Sequence, residues 1–335
     1  MGVTFRDVAA LAGVSPSTVS RCFTEGASIS AKTRARIEKA ADQLGYRPNA
    51  LASSLTTGRT KLVGLVSDNF QNPIFLEVFD RFTRGLQDRG LRPLLVNLSH
   101  QTDPASSVRM LQQYSVDAAI VASSTLPVEF AESFEAAGIP VVHSFGRYAE
   151  KPRVNVVTIN NFEAGRMAAR ALVDCGYQRI AMLAGPGSAT STQDRLAGFL
   201  EAMDAEPNVA VSTSYARAYS FDAGWDAMRA LIAEGDLAEA YFCGDDVLSI
   251  GALSALEDAG YRVPDDVGIL GFNDMEMARW RNIDLSTIHQ PIDEIVRLSI
   301  ESVGNMLSSP VAMAPRAHLL SCRIVHRGTL KTARG

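Results

Sequence analysis

Residues 3–60 constrain the fold of the first part of this chain almost position by position. Thr4, with Asp7 three residues on, has the form of a capping box that opens a helix. Phe5, Val8, Ala9 and Ala12 then share one face at helical spacing, and Gly13 supplies the break. Ser15 followed by Pro16 is a second start: a hydroxyl cap, then a residue with no amide proton to satisfy. That helix turns Val19 and Phe23 inward and leaves Pro16, Ser17, Ser20 and Arg21 outward. Ser30 opens a third helix, with Ile37, Ala40, Ala41 and Leu44 inward and Gly45 at its end. A helix-turn-helix whose second helix exposes small polar residues and an arginine has the geometry that reads a DNA major groove.

Charge follows the same division. Residues 1–61 carry nine Lys and Arg against four Asp and Glu, while the remainder carries twenty-three against thirty-three. The chain as a whole is at net −5, which alone argues against DNA. A basic head on an acidic body instead confines nucleic-acid contact to the head. Charge by itself also fits a small domain that is basic by chance; the helix-turn-helix pattern decides between them.

From Lys61 the pattern changes to alternating strands and helices. KLVGLVS, LRPLLVN, AAIVAS, IPVVHS and VNVVTI read as strands, separated by helices near Ile74–Arg89, Pro104–Gln113 and Val128–Ala137. The series then restarts with a helix and a strand in NNFEAGRMAARALVDCGYQRIAMLAG. Helices near Thr192–Met203, Asp222–Glu234 and Val247–Ala259 follow, with EAYFCG and VGILGF as strands. No sequence repeat is detectable, yet the order of elements repeats. Two doubly wound α/β lobes follow, with a ligand crevice at the carboxyl ends of their strands. STIHQP and a helix over Ile292–Leu307 cross back to the first lobe, and strands near His318–His326 complete the crossings.

The words DVAALAGVSPSTVSR and YRPNALASSL closely resemble the head and hinge of the LacI/GalR family of bacterial transcriptional regulators. The likeness runs on to about Arg327 through NPIF (72–75), AGIPVV (137–142), NNFEAGR (160–166), RLAGF (195–199), CGDD (243–246), VPDDVGILGFND (263–274) and LSTIHQP (285–291), in the family's order. It implies an all-α helix-turn-helix head followed by an α/β effector domain of two lobes similar to periplasmic sugar-binding proteins. The expected boundaries are a head over 1–46 and a hinge helix and linker over 47–60. An N-terminal lobe over 61–159 plus 290–319, a C-terminal lobe over 160–289 plus 320–330, and a tail over 331–335 complete them. Two departures bear on ligand identity. Several relatives carry Asn-Asp where this chain has Asp245-Asp246, and many carry Asp-Asp where it has Asn273-Asp274.

On the DNA side, Arg21 can donate two hydrogen bonds to a guanine edge, the strongest direct-readout pairing. Ser17 and Ser20 can contact bases or phosphates, and Pro16 offers apolar contact only. Thr4, Ser15 and Ser30, with nearby backbone amides, are candidates for phosphate contact at helix N-termini as well as caps. The hinge PNALASSL buries little apolar surface alone, so it is marginal as an isolated helix. Leu55 matches the family's wedge leucine, which opens a base step in the minor groove; packing against the partner hinge is its other reading. Asn49 is a minor-groove or phosphate contact, or simply an N-cap.

On the effector side, the resemblance aims Arg195 into the crevice, where it can donate to two hydroxyls or a carboxylate; an inter-helix salt bridge is the alternative. Asp245-Asp246 and Asn273-Asp274 each follow a strand at its carboxyl end. Asp245 and Asn273 are the ligand-facing choices, with Asp246 and Asp274 capping or structural. Phe75, Phe145 and Tyr219 match aromatic effector contacts of relatives, with core packing as the competing role. Asp68 and Arg147 are further candidates at strand ends.

Enzyme and membrane readings find little to rest on. The chain has no uninterrupted apolar run of membrane length and no charged leader followed by an apolar stretch. Cys22, Cys175, Cys243 and Cys322 lack CxxC spacing, which fits reduced cytosolic thiols rather than a metal or disulfide pattern. AGPGSAT lacks the Lys-Ser/Thr of a phosphate loop, no G-x-G-x-x-G follows the first strand, and no G-x-S-x-G elbow occurs. Asp265-Asp266 reads as a solvated turn. No cofactor, metal or catalytic residue is expected. The expectation is a cytoplasmic homodimer that binds a palindromic double-stranded operator and a sugar or sugar-derivative effector, most simply as a repressor. The competing class is a sugar-binding protein without a regulatory role, against which the head argues.

Overall fold

The capping box at Thr4 forms: its backbone N–H and its Oγ1 both donate to Asp7 Oδ2, at 2.8 and 2.7 Å. These bonds hold the Asp7 carboxyl below the usual aspartate range. The computed structural model describes residues 3–24, 27–47, 54, 58–98, 104–309 and 314–332. The chain divides into two units, Met1–Lys61 and Leu62–Gly335.

The first unit holds α1 (Phe5–Ala12), α2 (Pro16–Cys22) and α3 (Ala31–Leu44). Gly13 and Gly45 end α1 and α3 in the left-handed region, at φ +61° and +66°, where a Cβ would be strained. The core is Val8, Ala9, Ala12, Val19, Cys22, Ile37, Ala40 and Ala41. Two expectations change. Phe5 is exposed, because so small a core closes over only three of the four apolar positions of α1. Phe23 is half-buried and packs against Tyr46 at 6.0 Å between ring centroids, while Cys22, one position earlier on α2, takes the fully buried place.

The second unit contains two six-stranded sheets. The first joins β1 (Leu62–Ser67), β2 (Arg92–Asn97), β3 (Ala118–Ala122), β4 (Val141–Ser144), β5 (Asn155–Ile159) and β11 (Ala317–Leu320) in the order β11-β5-β4-β3-β1-β2, all parallel. The second joins β6 (Arg179–Ala184), β7 (Ala210–Tyr215), β8 (Ala240–Cys243), β9 (Gly268–Asn273), β10 (Thr287–His289) and β12 (Arg323–Val325) in the order β12-β10-β9-β8-β6-β7, with β12 alone antiparallel. Central strands such as β3 are apolar on both faces, as strands covered by helices on both sides must be. β7, an edge strand, alternates exposed and half-buried residues and has no apolar run; it is the strand that apolar patterning does not signal.

Helices α4 (Ile74–Gln87), α5 (Pro104–Gln113), α6 (Val128–Ala136) and α11 (Ile292–Ser308) belong with the first sheet. Helices α7 (Asn161–Asp174), α8 (Thr190–Met203), α9 (Phe221–Glu234) and α10 (Asp246–Asp258) belong with the second. The chain passes between the sheets three times: from β5 into α7, from β10 into α11, and from β11 into β12. α11 is tied to the first sheet by a hydrogen bond from Ser144 Oγ to Ser299 Oγ at 2.7 Å.

Two helix pairs of the second lobe touch backbone to backbone. A Cβ on Gly198 of α8 would lie 1.9 Å from the Phe162 carbonyl oxygen, and one on Gly165 of α7 would lie 2.0 Å from that of Arg195. Gly224 and Gly251 do the same for α9 and α10. No side-chain adjustment relieves a clash with backbone, so Gly198→Ala forces the helices apart. Overpacking of this kind costs about 1–3 kcal/mol. Gly198→Ala is expected to lower the melting temperature of the second unit by several degrees in a thermal melt. An unchanged melt would show that the α7–α8 contact is not rigid.

Candidate functional site

At the carboxyl ends of the strands the two lobes face each other across a crevice. Its inner chamber, of about 30 Å³, is lined by Phe75 and Phe145 from the first lobe and by Arg195, Tyr219, Asp245 and Asn273 from the second. Asn69, Asn72, Ser124 and Gln290 line it as well. The six side chains named from the sequence therefore converge on one place. Apolar patterning could not have found Asn72 or Gln290. They sit in NPIF and HQP, loop words in which an amide reads as a turn residue.

Arg195 is buried on α8. Its Nε donates to Asn161 Oδ1 at 2.8 Å, its Nη1 donates to the Gly244 carbonyl at 2.6 Å, and its Cζ lies 3.6 Å from the Phe272 ring centroid. Burial draws its pKa down. No ion pair to Arg195 occurs among the described residues, so the inter-helix salt bridge does not form. A desolvated guanidinium held by a carbonyl, an amide and a π face keeps its charge available to a ligand.

Three carboxylates cluster at the carboxyl ends of β8 and β9 with different duties. Asp245 accepts from Val247 N at 2.9 Å through Oδ1, which caps α10, and from Asn72 and Asn273 Nδ2 at 2.8 and 2.9 Å through Oδ2. A single residue thus faces the chamber and caps the helix, where the sequence suggested that these duties fall to neighbours. Asp246 is fully buried and accepts from Thr287 Oγ1 at 2.6 Å and Met275 N at 2.9 Å. Burial pushes the Asp245 and Asp246 carboxyls up to about 6 and about 7. Burial also pushes Asp274 upward, but hydrogen bonds from Arg327 and His289 and the charges of Arg327 and Arg279 outweigh it and hold that carboxyl below its usual range. Backbone strain concentrates here, with Phe145, Asn273 and Asp274 at φ +65°, +120° and +59°.

An outer chamber of about 440 Å³ adjoins the inner one and is lined by Asp68, Asn97, Thr125, Ser188 and Arg217 among others. Asp68 accepts from Ser123 Oγ at 2.8 Å and Thr125 Oγ1 at 2.6 Å. Arg147 lines neither chamber; it pairs with Asp194 across the crevice. Other contacts between the lobes run from Asn72 to Asp245, from Glu276 N to Glu77 Oε1 at 2.8 Å, and from Thr190 Oγ1 to the Ser124 carbonyl at 3.1 Å.

In the first unit, Ser15 and Ser30 cap α2 and α3, each accepting a backbone N–H at 3.2 Å from Thr18 and Thr33. Pro16, Ser17, Ser20 and Arg21 are exposed on α2, and the Arg21 side chain makes no hydrogen bond or ion pair among the described residues. Ser17 shares its hydroxyl with Ser15 at 2.8 Å. Asn49 and Leu55 lie outside the described residues.

Comparison with known proteins gives this geometry a family. Residues 4–49 match the model of the lacI family of bacterial regulatory proteins, and residues 169–330 match that of a periplasmic binding protein-like domain. Over its whole length the chain is 30% identical to the HTH-type transcriptional repressor PurR of Escherichia coli O139:H28, with 99% of each chain covered. The chain belongs to the LacI/GalR family of bacterial transcriptional regulators. Among solved structures, the lac repressor dimer bound to operator and the anti-inducer ONPF matches with a TM-score of 0.86 and 25% identity, over 98% of this chain and 99% of that one. The transcriptional regulator CelR in complex with cellobiose matches at 0.71 and 27% over the same shares. These LacI/GalR relatives are regulators of transcription rather than enzymes. No helix among the described residues is long and apolar enough to cross a membrane.

The buried carboxyls make stability depend on pH. Folded Asp246 holds its proton up to about 7, whereas the unfolded chain releases it near the ordinary aspartate value of about 4. Across that window the folded state binds the extra proton, so stability falls as pH rises. Asp246→Asn removes this loss while keeping groups that pair with Thr287 and Met275. The variant is expected to gain on the parent protein from pH 4 to pH 7 and to hold the gain above. At pH 8 it should melt several degrees higher, a gain of up to about 4 kcal/mol. A difference that stays constant from pH 4 to pH 8 would assign the titration to another group.

Proposed function

We propose that the protein is a cytoplasmic, homodimeric transcriptional repressor whose affinity for a palindromic operator is set by a sugar or sugar-derivative effector bound between its lobes. The observation that carries this reading is one chain that joins an exposed Arg21 on a capped α2 to a crevice lined by a buried guanidinium and a buried carboxylate. In this reading the head spans 1–46, the hinge 47–60, and the lobes are assembled from 61–159 with 290–319 and from 160–289 with 320–330. Arg21, Ser17, Ser20 and Pro16 face the major groove, and Thr4, Ser15 and Ser30 hold phosphates. Asn49 and Leu55 act in the minor groove. Phe75, Phe145, Arg195, Tyr219, Asp245 and Asn273 hold the effector.

A palindrome presents two half-sites, so two heads are needed and a two-fold dimer supplies them. The lac repressor dimer on its operator supports the same assembly here. The cellobiose held by CelR supports a carbohydrate effector. Effector binding shifts the population of lobe arrangements and thereby the separation of the two hinges. No chemistry on the effector is part of this reading: Asp245 and Asp246 are committed to hydrogen bonds that hold α10, β9 and β10 together.

A thermal-shift screen over sugars and sugar acids identifies a stabilising ligand, and operator binding is then measured with and without it. Operator affinity that ignores a tightly bound sugar would leave a sugar-binding protein without a regulatory role. Arg21→Ala is expected to cost about 1–3 kcal/mol on the preferred operator and to relax choice at one base pair per half-site. A selected motif unchanged by the substitution would reduce Arg21 to a phosphate contact. Arg195→Ala is expected to weaken the effector roughly tenfold to a hundredfold, with operator binding intact, because charge-assisted bonds contribute about 1.5–3 kcal/mol. Unchanged effector affinity in calorimetric titration would remove Arg195 from the site.

A further inference from the structure

The crevice is longer than one sugar ring. Phe145 follows β4 and Asn97 ends β2, and these strands are three steps apart in the first sheet, through β3 and β1. In the second sheet Asn273 ends β9 and Arg217 follows β7, again three steps apart through β8 and β6. Neighbouring strands are ~4.8 Å apart, so each wall of the crevice runs roughly 14 Å from the inner chamber to the far side of the outer one. A pyranose with its hydroxyls spans only about 6 Å at bond lengths near 1.5 Å.

The two chambers also differ in what they admit. The inner one, at about 30 Å³, takes little more than a single polar group. The outer one, at about 440 Å³, is of the size that small-molecule sites have. Asn69 and Tyr219 line both. Tyr219 is a fixed plate at the junction: its hydroxyl pairs with buried Thr192 at 2.6 Å, and its ring lies against Gly185, where a Cβ would come within 2.2 Å of it. Beyond it, each oxygen of Asp68 already accepts one hydroxyl, from Ser123 or Thr125, and each keeps a lone pair to offer. Arg217 lines the same chamber from the other lobe and makes an exposed pair with Asp226 at 3.1 Å.

Resting on the effector reading above, we propose that the effector is an elongated polyol of two linked rings, a disaccharide or a glycoside of that size. One hydroxyl-bearing end enters the inner chamber at Arg195 and Asp245. The rings lie over Tyr219 and reach Asp68 and Arg217, which choose ligands by length.

Calorimetric titration of the full-length protein with matched pairs tests this: glucose against cellobiose, maltose and trehalose, and galactose against lactose and melibiose. At least one disaccharide is expected to bind about tenfold or more tightly than its own monosaccharide. Arg217→Ala and Asp68→Asn are each expected to cut that advantage below about threefold. Arg217 is exposed and its loss does not threaten folding, so it serves as the control for Asp68. Equal affinity for both members of every pair would overturn the two-ring ligand and leave the sugar reading standing. An advantage untouched by both variants would remove the outer chamber. No binding by any sugar of either size would overturn the sugar effector and this inference together.

Discussion

The second unit is organised around Arg195, a buried cation that makes no ion pair among the described residues. Arg195 could lower its own cost by pairing with a carboxylate, and Asp245 lies near enough to feel its charge. Its Nε and Nη1 go instead to an amide oxygen and a backbone carbonyl, and its face to Phe272. These partners orient the guanidinium without neutralising it. A ligand that brings acceptors completes the shell of a group already desolvated, so part of the cost of binding is met in folding. The arrangement is possible only because α8 sits close to α7, and that closeness is set by Gly165 and Gly198 meeting carbonyl oxygens directly. The packing of two glycines thus fixes the position of the charge.

The carboxylates show how neighbouring groups of one chemistry acquire different behaviour. Asp274 receives Arg327, His289 and Arg279 and stays ionised, tying the segment after β12 to the end of β9. Asp246 receives a hydroxyl and one backbone N–H inside the core, and there burial wins. Asp245 lies between these cases, with three neutral donors and Arg195 near enough to pull against burial. Only Asp245 faces the chamber.

How much of this was legible in the sequence depends on what kind of force placed each residue. Elements placed by burial could be read: β3 is an unbroken apolar run, and helices such as α4 and α11 have clear apolar faces. Asp245 and Asn273 could be read because residues at the carboxyl ends of parallel strands face the crevice by topology, and the family words fixed the rest of the chamber. β7 could not be read, since an edge strand with one solvated side needs no apolar run. Phe5 was misplaced because helical spacing identifies a face but not where the neighbouring helices stop covering it. Asn72 and Gln290 escaped for a different reason. Their partners are reached across loops, and Asn72 meets Asp245 only when the two lobes come together, a contact between residues far apart in sequence that no local pattern encodes.

The departures at 245 and 273 acquire a physical meaning from these contacts. Asp245 collects amide donors from Asn72 in one lobe and Asn273 in the other strand end, while its second oxygen caps α10. An asparagine at 245 would offer one acceptor oxygen for three donors, so the carboxylate is what allows a single side chain to hold both lobes and the helix. Asn273 completes the exchange, since an aspartate there would set two carboxylates against each other in a site that already desolvates one. The chamber is left with a cation at Arg195 and an acceptor at Asp245 that do not touch. A ligand group facing Arg195 must accept and one facing Asp245 must donate. Hydroxyls do both, and a carboxylate placed at Asp245 would meet repulsion whenever that residue is ionised.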